Sequence, residues 1–403
     1  MANPDRIKNV AKRVAGYKKK GHHLVVVVSA LGDTTDELLA LADQITRNPS
    51  RRELDMLLST GEQISVALLA MALHDLGLDA ISFTGGQVGI STDAAYTRAR
   101  ILDISTHRIQ AELGKNKIVI VAGFQGVGPG QEITTLGRGG SDLTAVALAK
   151  ALKADTCEIY TDVQGIYTTD PRLVADAQKL DRISYEEMLE MASSGAQVMQ
   201  SRSIEVAGKF DIPIHVRSSF SNHEGTWIVK EDRSMEDVLV RGVSLSKHEA
   251  KLTLTGVPNK PGVAAKIFRT LADRGVNVDM IIQNIGKNSS TDISFTITKG
   301  DVEHALQALK KFHREIGFKA ISQDANIAKV SVVGIGMRSH AGVAAAMFEI
   351  LGKNRINIEM ISTSEIKISC IVKKADAEKA VRLLHRHFQL DKKKNAQHDN
   401  PSL

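Results

Sequence analysis

The order of apolar and polar residues predicts alternating helices and strands over residues 1–232. Apolar residues recur at helical spacing from Pro4 to Tyr17, with Asn3 as the expected N-cap. Residues 24–28 form a continuous apolar run, which is typical of a strand buried on both faces of a parallel sheet. Further strands are predicted at residues 81–83, 118–124, 158–161 and 214–217, and further helices at residues 52–76, 141–152 and 185–191. This alternation predicts an α/β domain with a mostly parallel sheet and helices on both faces.

An internal repeat follows this domain. The segment KLTLTGVPNKPGVAAKIFRTLADRGVNVDMI, which begins at Lys251, is similar to KVSVVGIGMRSHAGVAAAMFEILGKNRINIEMI, which begins at Lys329. Each copy has the pattern strand, helix, strand, strand, helix, so each is expected to form a small α+β unit. We predict that the two units occupy residues 249–325 and 326–390 and bury a surface between them.

The two copies differ at their ends. The first is followed by a strand-like stretch at residues 318–322, whereas the last helix of the second runs into the polar segment 391–403, which is expected to be a disordered tail. The second copy would therefore have an unpaired sheet edge. Residues 238–245 alternate between apolar and polar positions, and we predict that they supply the missing strand to the second copy.

Composition and charge exclude several classes of protein. The chain of 403 residues is 43% hydrophobic, and it contains neither an apolar run of about 18 residues nor a secretory signal, so we expect a cytoplasmic protein without a membrane span. The net charge of +6 derives largely from lysines at 18–20 and 392–394, and only 4% of residues are aromatic, so we expect no nucleic-acid partner. Cys157 and Cys370 are expected to be reduced, buried thiols, and no metal site is predicted.

Two glycine- and hydroxyl-rich turns are candidate anion sites. Residues 29–35, SALGDTT, lead from a buried strand into a helix, and an N-cap explains them as well as a ligand does. Residues 134–142, TTLGRGGSD, lead into the next helix, which Ser141 or Asp142 can cap. Because Arg138 lies between glycines at a helix start, an anion site is favoured there over a solvated arginine.

Two further segments are candidates for ligand binding. Glu62 lies among apolar residues of a predicted helix, and together with Arg138 it would bind both charges of a free amino acid. The alternative is an ordinary solvated glutamate. Residues 160–172, YTDVQGIYTTDPR, would wrap around a nucleotide, or they are simply a turn-rich connection.

Taken in order, these segments resemble the aspartate kinase family. The family stretches SAxGxTT, GE, AGFQG, TTLGRGGSD, YTDVxGxYTxDPR and VRSS all occur in this chain, and the similarity covers nearly all of it. The resemblance implies an amino-acid kinase fold followed by two ACT domains. It also implies transfer of the γ-phosphoryl group of MgATP to the side-chain carboxylate of L-aspartate, the first step of lysine, threonine and methionine biosynthesis.

The resemblance also implies roles for individual residues. Four residues are expected to bind aspartate: Ser29, Thr35, Glu62 and Arg138. Arg138 and Asp142 are expected to act in catalysis. Five residues are expected to bind ATP: Tyr160, Thr161, Asp162, Tyr167 and Arg172.

The repeat resembles the ACT regulatory domains of lysine- and threonine-sensitive aspartate kinases. The expected effector residues are Asn259, Lys260, Pro261, Gly262, Val263, Ala264, Asn277, Val278, Asp279 and Gln283 in the first copy, and Asn357, Ile358 and Ser364 in the second. Backbone N–H groups at a helix start would bind the effector carboxylate, and Asp279 its ammonium group. Gly262 and Gly342 are equally explained as helix-entry turns. A homo-oligomer through the ACT domains is expected.

Two departures from the family pattern lower the expected activity. Members begin with a strand carrying KxGGxS, whereas this sequence begins at the helix that follows it, and Gln197 occupies the position of a lysine that contacts the nucleotide phosphates. Each cation contributes several kcal/mol to a phosphoryl-transfer transition state. We therefore expect reduced phosphoryl transfer, with an amino-acid-sensing subunit of impaired catalysis as the alternative.

Overall fold

The chain forms two compact units. The computed structural model describes residues 3–195, 198–231, 239–285, 290–338, 340 and 342–392. Unit 1 comprises Met1–Ile166, Leu180–Leu189 and Gln197–Glu231, and unit 2 comprises Tyr167–Lys179, Glu190–Ala196 and Asp232–Leu403. Two segments that we expected in the kinase domain, 167–179 and 190–196, are thus grouped with the repeat.

The helices are defined as follows: α1 Pro4–Lys19, α2 Thr34–Ile45, α3 Arg51–Leu58, α4 Thr60–Asp75, α5 His107–Gly114, α6 Gly140–Leu152, α7 Tyr185–Ser193, α8 Ser201–Phe210, α9 Val263–Ala272, α10 Val302–Lys311, α11 His313–Ile316, α12 Val343–Lys353 and α13 Ala377–His387.

The strands are defined as follows: β1 Val25–Val28, β2 Ala80–Phe83, β3 Ile90–Thr92, β4 Ile101–Ile104, β5 Ile118–Ala122, β6 Gln125–Val127, β7 Ile133–Thr135, β8 Cys157–Thr161, β9 Arg182–Ser184, β10 Ile214–Ser218, β11 Thr226–Val229, β12 Gly242–Ser246, β13 Glu249–Pro258, β14 Val278–Ile285, β15 Ser290–Thr298, β16 Ala320–Asp324, β17 Ile327–Val333, β18 Met360–Thr363 and β19 Lys367–Lys373.

Unit 1 is built around β5. This strand lies between β1 and β2 in a parallel sheet, and all five of its residues are buried. Ile118 and Ile120 belong to an apolar cluster with residues of α1 and α4, whereas Val119 and Val121 belong to another with residues of α5 and α6. The prediction of strands covered by helices on both faces is therefore confirmed.

Two four-stranded sheets complete unit 1. Their strand orders are β8-β10-β11-β9 and β4-β3-β6-β7, and both mix parallel and antiparallel pairs.

The helix predicted over 52–76 is divided into α3 and α4 at Ser59. Among the described residues, Arg51–Asp75 is the only helical stretch whose length and composition would allow it to cross a membrane. Leu69 and Leu73 of this stretch are nevertheless fully buried within unit 1, as in the core helix of a globular domain.

Unit 2 contains two antiparallel sheets of matching order. The first repeat forms β14-β15-β13-β16, and the second forms β18-β19-β17 with β12 as its fourth strand. Thus β12, which precedes the first repeat in the chain, occupies in the second sheet the position that β16 occupies in the first. The strand that we expected over 238–245 is found at Gly242–Ser246, and Val238 lies outside the described residues.

Three apolar clusters stabilise unit 2. One lies in each repeat, with Phe295 fully buried in the first and Met347 in the second. The third joins side chains of both repeats: Met280, Ile327, Met360 and Ile371, with Ile282 packed against them. The two sheets therefore share a buried apolar surface, as expected from the repeat.

The position of β12 beside β17 can be tested at Gly334, because residues 239–240, which lead into β12, approach this glycine closely. A Cβ atom at Gly334 would lie 2.5 Å from the Leu239 oxygen and 2.8 Å from the Val240 Cα atom. Because backbone must then move, we expect Gly334→Ala to lower the free energy of unfolding by about 1–3 kcal/mol in urea denaturation.

Gly352→Ala in α12 is the matched control for Gly334→Ala, since nothing lies within 4 Å of a Cβ atom there. It should instead stabilise the protein by about 0.5–1 kcal/mol, because alanine favours helix. Equal free energies of unfolding for Gly334→Ala and Gly352→Ala would contradict the close approach of residues 239–240 to Gly334.

Candidate functional site

The sequence motifs of unit 1 meet at the carboxyl edge of its parallel sheet. The turn that begins at Ser29 follows β1, and Gly123 follows β5, donating its N–H to the Val28 oxygen at 3.0 Å. A Cβ atom at Gly123 would lie 2.7 Å from Ser141 Oγ, so only glycine allows the start of α6 this close. Ligands bind at this edge in open α/β sheets.

Glu62 lies at this edge with its carboxylate buried. The residue is only 3% exposed, and Oε1 accepts a hydrogen bond from the Ala30 N–H at 3.1 Å. Oε2 is buried and has no hydrogen-bond partner among the described residues. Burial raises the pKa of Glu62 to about 7, against the opposing effect of backbone hydrogen bonds. A ligand cation beside Oε2 would stabilise the ionised form.

Arg138 presents its guanidinium to solvent. Its side chain is 89% exposed and pairs with Asp36 of α2 at 3.4 Å. Exposed ion pairs of this kind contribute little to stability. The adjacent glycines, Gly137 and Gly139, have φ angles of 83° and 72°, which favour glycine. Arg138 can therefore exchange Asp36 for a ligand carboxylate at small cost.

The start of α6 differs from the sequence prediction. The N-cap is Gly139, and no side chain of the described residues caps the helix, so the expectation that Ser141 or Asp142 does so is wrong. The left-handed backbone of the cap requires glycine, whereas Asp142 lies within the first turn. Its carboxylate accepts the Gln200 N–H at 3.4 Å, and burial raises its pKa to about 6.

The remaining residues that are predicted to bind the substrate aspartate lie near the same edge of the sheet. Ser29 is exposed directly after β1, and Thr35 is half-buried in the first turn of α2. The structure therefore brings Ser29, Thr35 and Glu62 to the carboxyl side of one sheet, and Arg138 contacts the helix that carries Thr35.

The predicted nucleotide residues of unit 1 lie at the end of β8. The Tyr160 hydroxyl donates to Glu158 Oε2 at 2.7 Å and lies 2.9 Å from the Tyr17 hydroxyl, and burial raises the pKa of Tyr160. Thr161 Oγ1 donates to Asp162 Oδ1 at 3.1 Å. These bonds fix the end of β8.

The other two predicted nucleotide residues, Tyr167 and Arg172, belong to unit 2. The Arg172 guanidinium is 89% exposed and donates to Asp170 Oδ2 at 2.8 Å, while its backbone N–H donates to Asp170 Oδ1. The predicted set is thus divided between the two units. Gln197 lies outside the described residues.

Sequence reasoning missed a buried carboxylate that holds the glycine-rich turn. Asp55 of α3 is fully buried and accepts hydrogen bonds from the Thr97 N–H, the Thr135 N–H and Thr135 Oγ1, the last at 2.6 Å. These bonds fix the strand that leads to Arg138. The available signal was an aspartate among the apolar residues Leu54, Leu57 and Leu58.

The predicted effector residues lie on exposed loops and strands of unit 2. Gly262 is the N-cap of α9 with a φ angle of 87°, and nothing lies within 4 Å of a Cβ atom there. The exposed members of the set are Asn259, Lys260, Pro261, Gly262, Asn277, Asp279, Gln283, Asn357 and Ser364, and the half-buried members are Val263, Ala264, Val278 and Ile358.

Asp279 has a partner that the sequence did not predict. It forms an ion pair with Lys329 of the second repeat, whose side chain is 2% exposed. Lys329 also pairs with Glu249 at 3.3 Å. An effector ammonium at Asp279 would therefore compete with a buried lysine.

Comparison with known proteins agrees with this architecture. Residues 1–218 match the amino acid kinase family, and residues 252–312 and 330–388 match the ACT domain. An aspartate kinase of Stutzerimonas stutzeri is 53% identical over 388 residues, covering 96% of this chain and 94% of its own length.

Two solved structures are also similar. Aspartokinase III of E. coli in complex with aspartate and ADP is 28% identical, with a TM-score of 0.80 over 96% of both chains. The same enzyme with lysine and aspartate has 28% identity and a TM-score of 0.71, covering 94% of this chain and 96% of its own. This chain belongs to the aspartate kinases, a branch of the amino acid kinase family that carries ACT domains.

Proposed function

We propose that this chain transfers the γ-phosphoryl group of ATP to the side-chain carboxylate of L-aspartate. A carboxylate oxygen attacks the γ-phosphorus, the bond to the β,γ-bridging oxygen breaks, and 4-phospho-L-aspartate and ADP are formed. The support is identity of about one half, over nearly the full length, with aspartate kinases. The reaction would begin lysine, threonine and methionine biosynthesis in the cytoplasm.

The observation that carries this assignment is the buried Glu62 carboxylate, whose Oε2 has no partner among the described residues. In our proposal Oε2 binds the substrate ammonium and Arg138 binds its α-carboxylate. Ser29 and Thr35 supply hydroxyl donors at the same edge. Both substrate charges are then neutralised, which leaves the side-chain carboxylate as the nucleophile.

Phosphoryl transfer depends on charge neutralisation around the transferring group. We assign the nucleotide to Tyr160, Thr161, Asp162, Tyr167 and Arg172, and the Mg²⁺ ion enters as part of the MgATP substrate. Arg172 supplies a cation for the phosphates. Asp142, at the first turn of α6, orients the groups around the reacting carboxylate.

The repeat is proposed to bind a feedback amino acid, lysine or threonine. Backbone N–H groups of the loop 259–264 would bind its carboxylate, and Asp279 its ammonium group. The lysine complex of E. coli aspartokinase III supports this choice of ligand class. Assembly of the chain through its ACT domains is part of the same proposal.

The reaction is tested by following ADP release with MgATP and either L-aspartate or L-glutamate, together with hydroxylamine trapping of the acyl phosphate. We expect release and trapping with aspartate only. Binding of aspartate or lysine without ADP release would contradict the kinase assignment and favour an amino-acid-sensing subunit.

Arg138→Ala is expected to weaken L-aspartate binding roughly tenfold in isothermal titration, because the carboxylate loses a charge-assisted partner. Arg269→Ala is the matched control, since Arg269 is also exposed and also pairs with an aspartate, Asp273. Unchanged affinity for Arg138→Ala would remove Arg138 from the site.

Glu62 should link aspartate binding to proton release. Its pKa is about 7 and an adjacent ammonium group lowers it, so binding at pH 6.5 should release up to roughly three quarters of a proton. Release should vanish above about pH 8, where Glu62 is already ionised. Titration calorimetry in buffers of different ionisation enthalpy measures this quantity.

Glu62→Gln should abolish the release, whereas Glu205→Gln, a change at an exposed residue of α8, should retain it. Full release from Glu62→Gln would exclude Glu62 as the ammonium ligand.

A further inference from the structure

The loop 167–179 carries two of the proposed nucleotide residues, yet it belongs to unit 2. Its ends are joined by a bridge between Tyr167 and Lys179 and by the Thr168 N–H, which donates to the Gln178 oxygen at 2.9 Å. Arg172 extends from the far end of this loop into solvent. The position of Arg172 therefore depends on what holds the base of the loop.

The first contact at the base is with β12, the edge strand of the second repeat. The Val243 N–H donates to the Thr168 oxygen at 2.8 Å, on the side of β12 opposite its partner β17. A Cβ atom at Gly242 would lie 2.8 Å from the same oxygen, so this approach requires glycine. The loop thereby adds one backbone bond to the sheet edge.

The second contact is a side-chain pair. His385 of α13 is 1% exposed, and its Nε2 atom lies 2.9 Å from Thr168 Oγ1. The same hydroxyl accepts the Gln178 N–H at 3.0 Å and donates to the Leu390 oxygen at 3.3 Å. The hydroxyl and Nε2 of His385 share one hydrogen bond, whose direction is set by the tautomer of the imidazole.

Burial favours the neutral form of His385. Desolvation lowers its pKa, against the opposing charges of Asp391 and Asp176. Val174, near the middle of the loop, packs against the apolar core of the second repeat. Base and middle of the loop are thus both attached to that repeat.

We propose that His385 is a positioning residue for the nucleotide, acting through Thr168 on the loop that carries Tyr167 and Arg172. The proposal rests on the nucleotide role assigned to those two residues under the proposed function. When the His385 bond is lost, ATP must order a looser loop, which weakens its binding. Glu62, which is proposed to bind aspartate, is held by the Ala30 N–H in unit 1 and should be unaffected.

The test compares three variants of the full chain in steady-state kinetics. His385→Leu should raise KM for MgATP about fivefold or more, as expected for one lost buried hydrogen bond, with kcat and KM for aspartate within about twofold. His385→Gln, whose amide can donate from a similar position, should restore KM for MgATP. His387→Leu on the exposed side of α13 is the matched control.

Amide hydrogen exchange, measured on the protein without substrates, tests the contact between His385 and the loop independently of kinase activity. His385→Leu should speed amide exchange at Thr168 and Val243 even if the chain transfers no phosphate to aspartate. Faster exchange with unchanged KM for MgATP would overturn the proposal, as would equal rises in both KM values or a failure of His385→Gln to rescue.

If His385→Leu does not fold, Thr168→Val takes its place, because it removes the hydroxyl with its bonds to His385, Gln178 and Leu390 and keeps the bonds of the Thr168 backbone N–H and oxygen. The same rise in KM for MgATP is expected. An unchanged KM for MgATP in Thr168→Val would overturn the proposal.

Discussion

The pairing of β12 with β17 is the constraint on which unit 2 depends. Val330 and Val332 of β17 are fully buried, so the strand needs partners on both sides to satisfy its backbone N–H and C=O groups. One partner, β19, comes from the same repeat, whereas β12 precedes the other repeat in the chain. The first repeat is therefore an insertion between two strands of the second sheet. Neither the sheet order nor the core of the second repeat is complete without chain from outside it.

Strand β12 also contacts segments that lie within the part of the sequence predicted to be the kinase domain. A Cβ atom at Gly195 would lie 2.3 Å from the Leu245 oxygen, so glycine is required where the chain passes β12 at this position. Glu190 of α7 pairs with Lys367 of β19 at 2.6 Å. With the loop 167–179, two segments from the first part of the sequence thus contact strands of the second repeat.

The candidate aspartate site combines a buried and an exposed charge. Glu62 is buried, which raises its pKa, and its Oε2 atom has no partner among the described residues, so the carboxylate would respond to an incoming cation. Arg138 remains in solvent on a glycine-rich turn and reorients easily. In the proposed aspartate site, the buried group would supply selectivity for an ammonium, because a ligand without one leaves the carboxylate unpaired. The exposed group would supply long-range attraction for carboxylates.

The sequence by itself determined strands β1, β2, β5, β8 and β10 of unit 1, the two repeats and the family motifs, whereas the other strands of unit 1 were not predicted. Apolar periodicity reports which faces are buried, and the motifs lie in contiguous segments. It also indicated residues 238–245 as a strand for the second repeat, because an open sheet edge is costly. Only the tertiary structure decided the partners of Asp55 and Lys329, the glycine cap of α6 and the grouping of residues 167–179 with unit 2. These features depend on contacts between segments far apart in the chain, and local pattern carries no information about which distant atoms fill a buried hydrogen bond.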